Sequence, residues 1–170
     1  VKKIIILLFS VIFVSCDGDN EDISCDENST DLLFSLNDLN PESNTFQMDI
    51  SPETYSNTVR LFYFSNNENW GLCQSRFDSL YNLYLSLDQE NLYIFGIGAN
   101  NNISVDNMVN GNTLPWVKDN NEYNIWDSLC IDNRDLLFMN TDGEIIYSIN
   151  LTDEFNGQQI INNINNLLDN

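Results

Sequence analysis

"TVRLFYFSNNENWGLCQSRFDSLYNLYLSL", residues 58–87, decides how this chain folds. Residues 58–65 are a nearly continuous run of β-branched, aliphatic and aromatic side chains, the pattern of a strand buried on both faces. From Cys73 the apolar positions change period. Cys73, Phe77, Leu80, Tyr81 and Tyr84 fall at spacings of four, three, one and three, which lie along one face of a helix. "NLYIFGIGA", residues 91–99, then gives a second buried strand, ended by Gly96 and Gly98. Strand, helix and strand in that order favour a parallel pair joined by a helical crossover.

Upstream, "TFQMDI" alternates Phe46, Met48 and Ile50 and predicts a half-buried strand. Ser51-Pro52 opens a helical turn. Downstream, "TLPWVKD" predicts a short strand, and "NEYNIWDSLC" a short helix turning Tyr123, Ile125, Trp126 and Leu129 inward. "DLLFMN" and "EIIYSINL" flank Asp142-Gly143, whose glycine supplies the positive φ of a hairpin. Ile160, Ile161, Ile164, Leu167 and Leu168 make the last segment an amphipathic helix. The expected fold is α/β, a central mixed sheet flanked by helices.

That element order, with a helix opening at a W-x-x-C after the first central strand, resembles the thioredoxin fold, and more narrowly its extracytoplasmic redoxin-like branch. Residues 44–65, 114–151 and 38–46 carry the likeness, which spans about residues 38–168. In the family the motif is C-x-x-C at a helix N-terminus. The helix dipole and free N–H groups stabilise the first thiolate, and the second thiol resolves the mixed disulfide. The resemblance puts Trp70 at the nucleophile position and Cys73 at the resolving one. It sets Phe64 where many members carry an acid, and Arg134 at the cis-proline position. The implied molecule is a redoxin whose C-x-x-C is degenerate and whose standard dithiol chemistry is lost.

The remaining candidates are weighed on the same terms. Cys73 is either a lone thiol or a buried small hydrophobe on the apolar helix face. Cys130 precedes the loop that faces the motif helix in this fold, so Cys73 and Cys130 are the candidate catalytic pair, as a relocated redox couple or a staple. Cys25 is an alternative partner for either, and spacing does not fix the connectivity. Arg134 and Asp135 form a small polar recognition site or a surface ion pair. Trp116 is expected in the core.

The N-terminus reads as an address. Lys2 and Lys3 precede an apolar run too short to serve as a permanent span, and Ser15-Cys16 closes it before polarity switches to "DGDNED". The layout resembles a bacterial lipoprotein signal peptide, with residues 1–15 removed and Cys16 lipidated. Residues 16–40 then form an acidic tether that touches down at Leu32, Leu33 and Phe34, and residues 41–170 the thioredoxin-like domain. The acids after Cys16 resemble the surface-export signal of Bacteroidetes lipoproteins, and would equally make a solvated tether. Either way the expected location is the cell envelope, lipid-anchored at the outer membrane, facing the periplasm or the surface.

Composition excludes more than it proposes. Six Lys or Arg stand against 26 Asp or Glu, a formal charge of −20, and there is no His. Clustered cations for nucleic acid are lacking, as are His-dependent triads and His-based zinc sites. Asp17, Asp19 and Glu21 alternate like calcium ligands, yet no Gly-centred loop follows, and neither metal nor cofactor is expected. The expected partners are the membrane, through the lipid, and envelope or surface proteins. Three readings follow: an accessory or binding module on a redox-inactive thioredoxin-like fold, a thiol–disulfide oxidoreductase using Cys73 with Cys130 or Cys25, and a structural envelope lipoprotein.

Overall fold

A computed structural model describes residues 32–67, 71–100 and 105–169. A five-stranded sheet forms the centre, in the order β5 (Trp116–Lys118), β4 (Leu92–Gly98), β3 (Val59–Ser65), β6 (Asp135–Met139), β7 (Ile145–Asn150). β3 and β4 are parallel in a seven-residue register from Val59 opposite Leu92 to Ser65 opposite Gly98. β5 is parallel to β4, while β6 and β7 run antiparallel and close the sheet with the hairpin whose Gly143 has φ of +95°.

All seven residues of β3 are buried, as a strand covered on both faces must be. Val59, Leu61 and Tyr63 face one core layer with Cys73, Phe77 and Leu80 of α1 (Gly71–Leu85). Met108 of α2 (Asp106–Val109) and Ile160 and Ile164 of α4 (Gly157–Leu168) complete that layer. Phe62 and Phe64 face the other, with Leu32, Phe34, Leu36, Ile50 and Ile125 of α3 (Ile125–Ser128). Arg60 shares the second face, and burial lowers its pKa. Its guanidinium donates to the carbonyls of Thr58, Pro52 and Asn140, tying the Pro52–Tyr55 turn and the last hairpin to β3.

Gly96 has a packing reason. A Cβ there would lie 1.9 Å from Cε3 of Trp116, so only glycine lets that ring cross β4 and meet Phe77 edge-on at 5.0 Å. Trp116 is fully buried, as expected.

Four expectations are corrected. "TFQMDI" is not a strand along its length. Only Asp49–Ile50 (β2) pairs, with Leu36–Asn37 (β1), in a separate ribbon outside the main sheet. Gln47 sits at φ of +63°, which breaks the alternation and leaves Phe46 and Met48 exposed. The tether boundary at residue 40 is also too late. Leu32, Phe34, Leu36, Asp38 and Asn40 are all buried, and the Asp38 carboxylate accepts from the Trp116 and Asn40 amides and the Thr45 hydroxyl. In α1 it is Leu83 that is buried, Tyr81 and Tyr84 being half-buried at the edge of the layer. The "NEYNIWDSLC" helix shrinks to Ile125–Ser128, because Asn124 and Cys130 both have positive φ, and only Ile125 of its apolar residues is buried outright.

Candidate functional site

Cys73 is the third residue of α1, and it points into the core with no exposed surface. Tyr63, on β3 beneath it, donates its hydroxyl to the Cys73 carbonyl at 3.1 Å. Phe77, one turn on, stacks on Tyr63 with ring centroids 5.8 Å apart. The Tyr63 phenol is pushed far above its ordinary pKa, first by burial and then by the neighbouring Cys73, so it stays a donor.

The sulfur has polar company from the loop between α3 and β6. Arg134 Nη1 donates to Cys73 Sγ at 3.5 Å, and the Asn133 side-chain amide lies 3.8 Å from it. Arg134 is itself buried and strained, at φ of +73°. Its backbone holds it there: its N–H donates to the Phe64 carbonyl and its carbonyl accepts from Leu151, each at 2.9 Å. Its Nε donates to the Thr152 hydroxyl at 3.1 Å. Asn133 Oδ1 accepts the Asn66 amide at 3.0 Å, tying the loop to the end of β3. Arg76 adds a second cation beside the same strap, donating to the Leu151 carbonyl at 2.7 Å.

The position expected to carry a cis-proline thus holds an arginine reaching back to the inner thiol, and no cis peptide bond occurs among the described residues. Asp135 turns away, accepting from the Asn150 amide and the Asp132 N–H. Trp70, Cys16 and Cys25 lie outside the described residues. Of the alternatives left open for the cysteines, a bond between Cys73 and Cys130 is not formed. Cys73 is a free thiol, whereas Cys130 is exposed and in a disulfide. The physical reason is direction: Cys73 faces the layer under α1, while Cys130, at φ of +49°, ends the α3 turn at the surface on the opposite side of the sheet. Asn133 and Tyr63 were not singled out from sequence. The signal for Asn133 was its place in "DNRDLL", directly before Arg134.

Beside this centre an open cleft of about 470 Å³ runs along the C-terminal ends of β3, β4 and β5. Asn66, Asn100, Asp119, Asn121, Asn124 and Trp126 line it. Asp119 shapes its floor, accepting from the Asn120 and Trp126 amides. Among the described residues no cluster of His, Cys, Asp and Glu could hold a metal ion.

The topology defines a class: the fold is thioredoxin-like. The thioredoxin domain of a thiol-disulfide oxidoreductase from Bacteroides vulgatus superposes with a TM-score of 0.60 at 14% identity, over 81% of this chain and 94% of that one. A thiol:disulfide interchange protein of the thioredoxin family from Chlorobium tepidum gives 0.63 at 12%, over 82% and 95%. The mitochondrial 2-Cys peroxiredoxin of Plasmodium falciparum gives 0.64 at 15%, over 82% and 92%. At such identities the likeness establishes the fold and leaves the chemistry to the residues. No protein-family model matches the chain, and no curated protein matches it by sequence.

Proposed function

We propose that this protein is a lipid-anchored, thioredoxin-like binding module of the cell envelope in which standard dithiol exchange has been lost. The observation that carries the reading is the state of Cys73. Exchange requires a thiolate that can approach a disulfide in line, with a second thiol nearby to expel the product. Cys73 has no exposed surface, its sulfur is capped by Arg134, and Cys130 is engaged elsewhere. The cleft lined by amides, acids and Trp126 supports the binding role, since it offers hydrogen-bonding groups at the edge where α/β sheets place ligands. Lipidation at Cys16 rests on the order of Lys2-Lys3, apolar run and Ser15-Cys16.

The test is insulin-disulfide turnover by the reduced soluble domain. Turnover should stay at the uncatalysed rate in the native chain and in Cys73→Ser. Thioredoxin-like turnover abolished by Cys73→Ser would overturn the proposal. Cys16→Ala should move the full-length protein out of the membrane fraction, and unchanged fractionation would refute the anchor.

A further inference from the structure

We propose that the pocket walled by Tyr55, Tyr84 and Tyr93 is a second binding site, built for one ring of a neutral sugar. It lies where β4 begins, at the other end of the strand from the Trp126 cleft, and it stands independently of the function proposed above.

The shortness of β5 makes the pocket. β4 starts at Leu92, yet β5 joins it only from Gly96 onward. The chain leading into β5 and the end of α1 wall the gap beside Tyr93 and Ile94, a cavity of about 230 Å³. The Asn91 carbonyl accepts the Val59 N–H of β3, whereas the Gly96 N–H donates to Pro115 on the other side. Alternation between those two turns the N–H and C=O of Ile94 toward the side on which β5 has not yet begun. Backbone groups turned into a recess need a partner.

The tyrosines supply a platform. Tyr55 and Tyr93 sit with ring centroids 3.8 Å apart, and Phe95 backs them at 5.2 and 6.1 Å. Tyr84 enters from α1, and all three tyrosines are half-buried, so part of each stays open to a ligand. The electron-rich face of such a ring takes up the C–H face of a pyranose. Burial, and after it the neighbouring Tyr93, raises the pKa of Tyr55 and of Tyr84, so both phenols keep their protons at neutral pH and can donate. Among the described residues, the hydroxyls of Tyr84 and Tyr93 and the side-chain amide of Asn44 make no hydrogen bond within the protein.

The lining selects the ligand. None of the wall residues is charged, although charged residues make up 19% of the chain. With no cation to pair a carboxylate or phosphate, and no acid to pair an ammonium, a charged ligand would lose its hydration without compensation. Phenols and the carboxamides of Asn44 and Gln89 both donate and accept, as sugar hydroxyls do. A peptide strand would need a longer run of free edge than β4 offers before Gly96. A proline-rich peptide carries acceptors but few donors and would leave the amide oxygens unmet.

The experiment titrates the full-length chain by calorimetry with maltohexaose, cellohexaose, xylohexaose and mannohexaose. Polygalacturonate and a decaproline peptide serve as the charged and peptide probes. At least one neutral oligosaccharide should bind, with an affinity that added sodium chloride leaves unchanged. Asn44→Ala and Tyr84→Phe remove groups that bond nothing in the protein, so the urea midpoint should hold while affinity falls about fivefold in each. Tyr93→Ala, which removes a ring of the platform, should lower it about tenfold. Trp126→Ala should leave it unchanged. Failure of all four neutral sugars to bind would overturn the proposal, as would tighter binding of polygalacturonate or decaproline. Sugar binding lost in Trp126→Ala and kept in Asn44→Ala, Tyr84→Phe and Tyr93→Ala would overturn this site and assign the ligand to the cleft instead.

Discussion

Cys73 and Cys130 belong to one chain and have opposite fates. Cys73 opens a long helix that lies flat on the sheet, so its side chain is drawn into the layer that also buries Phe77 and Leu80. Cys130 follows a one-turn helix, itself at positive φ, and it is left at the surface, where it is in a disulfide. The difference is one of access. A thiol is chemically available only where the packing lets a partner sulfur approach along the bond it must break.

The largest effect should come from measuring that access directly. Native Cys73 should react with a maleimide at least about 1,000-fold more slowly than in the denatured chain, because labelling must wait for an opening that costs several kcal/mol. A rate within tenfold of the denatured value would erase the contrast. Removing the packing should narrow it. Gly96→Ala forces the Trp116 ring off its seat against Phe77 and is expected to cost about 3 kcal/mol. A lowered urea midpoint with faster Cys73 labelling is the expected signature, and an unchanged midpoint would show that the ring has room to move.

Arg134→Ala sharpens the comparison instead. It removes the donors to Cys73 Sγ and Thr152 and should cost about 2 kcal/mol, speeding Cys73 labelling while Cys130 stays in its disulfide. If labelling does not change, the guanidinium is not part of the cover. The smallest effect is expected of Tyr63→Phe, about 1 kcal/mol at neutral pH, for one hydrogen bond to the Cys73 carbonyl. This effect depends on pH. The native phenol is pushed up by burial, while in the unfolded chain it ionises near pH 10.0. The unfolded state therefore sheds a proton that the native state keeps, and the native protein's advantage, full below that pH, is lost as pH rises above it. Urea titrations at pH 7 and at about pH 11 should show the gap between native and Tyr63→Phe narrowing; a constant gap would rule this out.

The parts of the fold legible in the sequence are those where local pattern and burial agree. The unbroken run in 58–65 demanded cover on both faces, and Asp142-Gly143 demanded a hairpin; both were found. "TFQMDI" misled because alternation is silent about a positive φ at Gln47, a conformation set by Asp38 and Met48 across the turn through their backbone bonds. Residues 32–40 misled for a related reason. The touchdown at Leu32 and Phe34 was readable. The rest looks like a polar linker, yet Asp38 and Asn40 are buried because distant backbone groups at Trp116, Asn112 and Leu114 satisfy them. Of the site, the position of Cys73 on the inner helix face was readable from its spacing to Phe77 and Leu80. The Asn133 and Arg134 contacts were not, since they join residues 60 and 61 positions apart.

The sequence by itself determined the strand–helix–strand order, the absence of His and the surplus of acids, because composition and periodicity are properties of the chain alone. Tertiary structure decided which sulfur is sealed and which is exposed. It also decided that Arg134, rather than a second cysteine, stands beside Cys73. Accessibility and hydrogen-bond distance arise only when segments remote along the chain pack against one another.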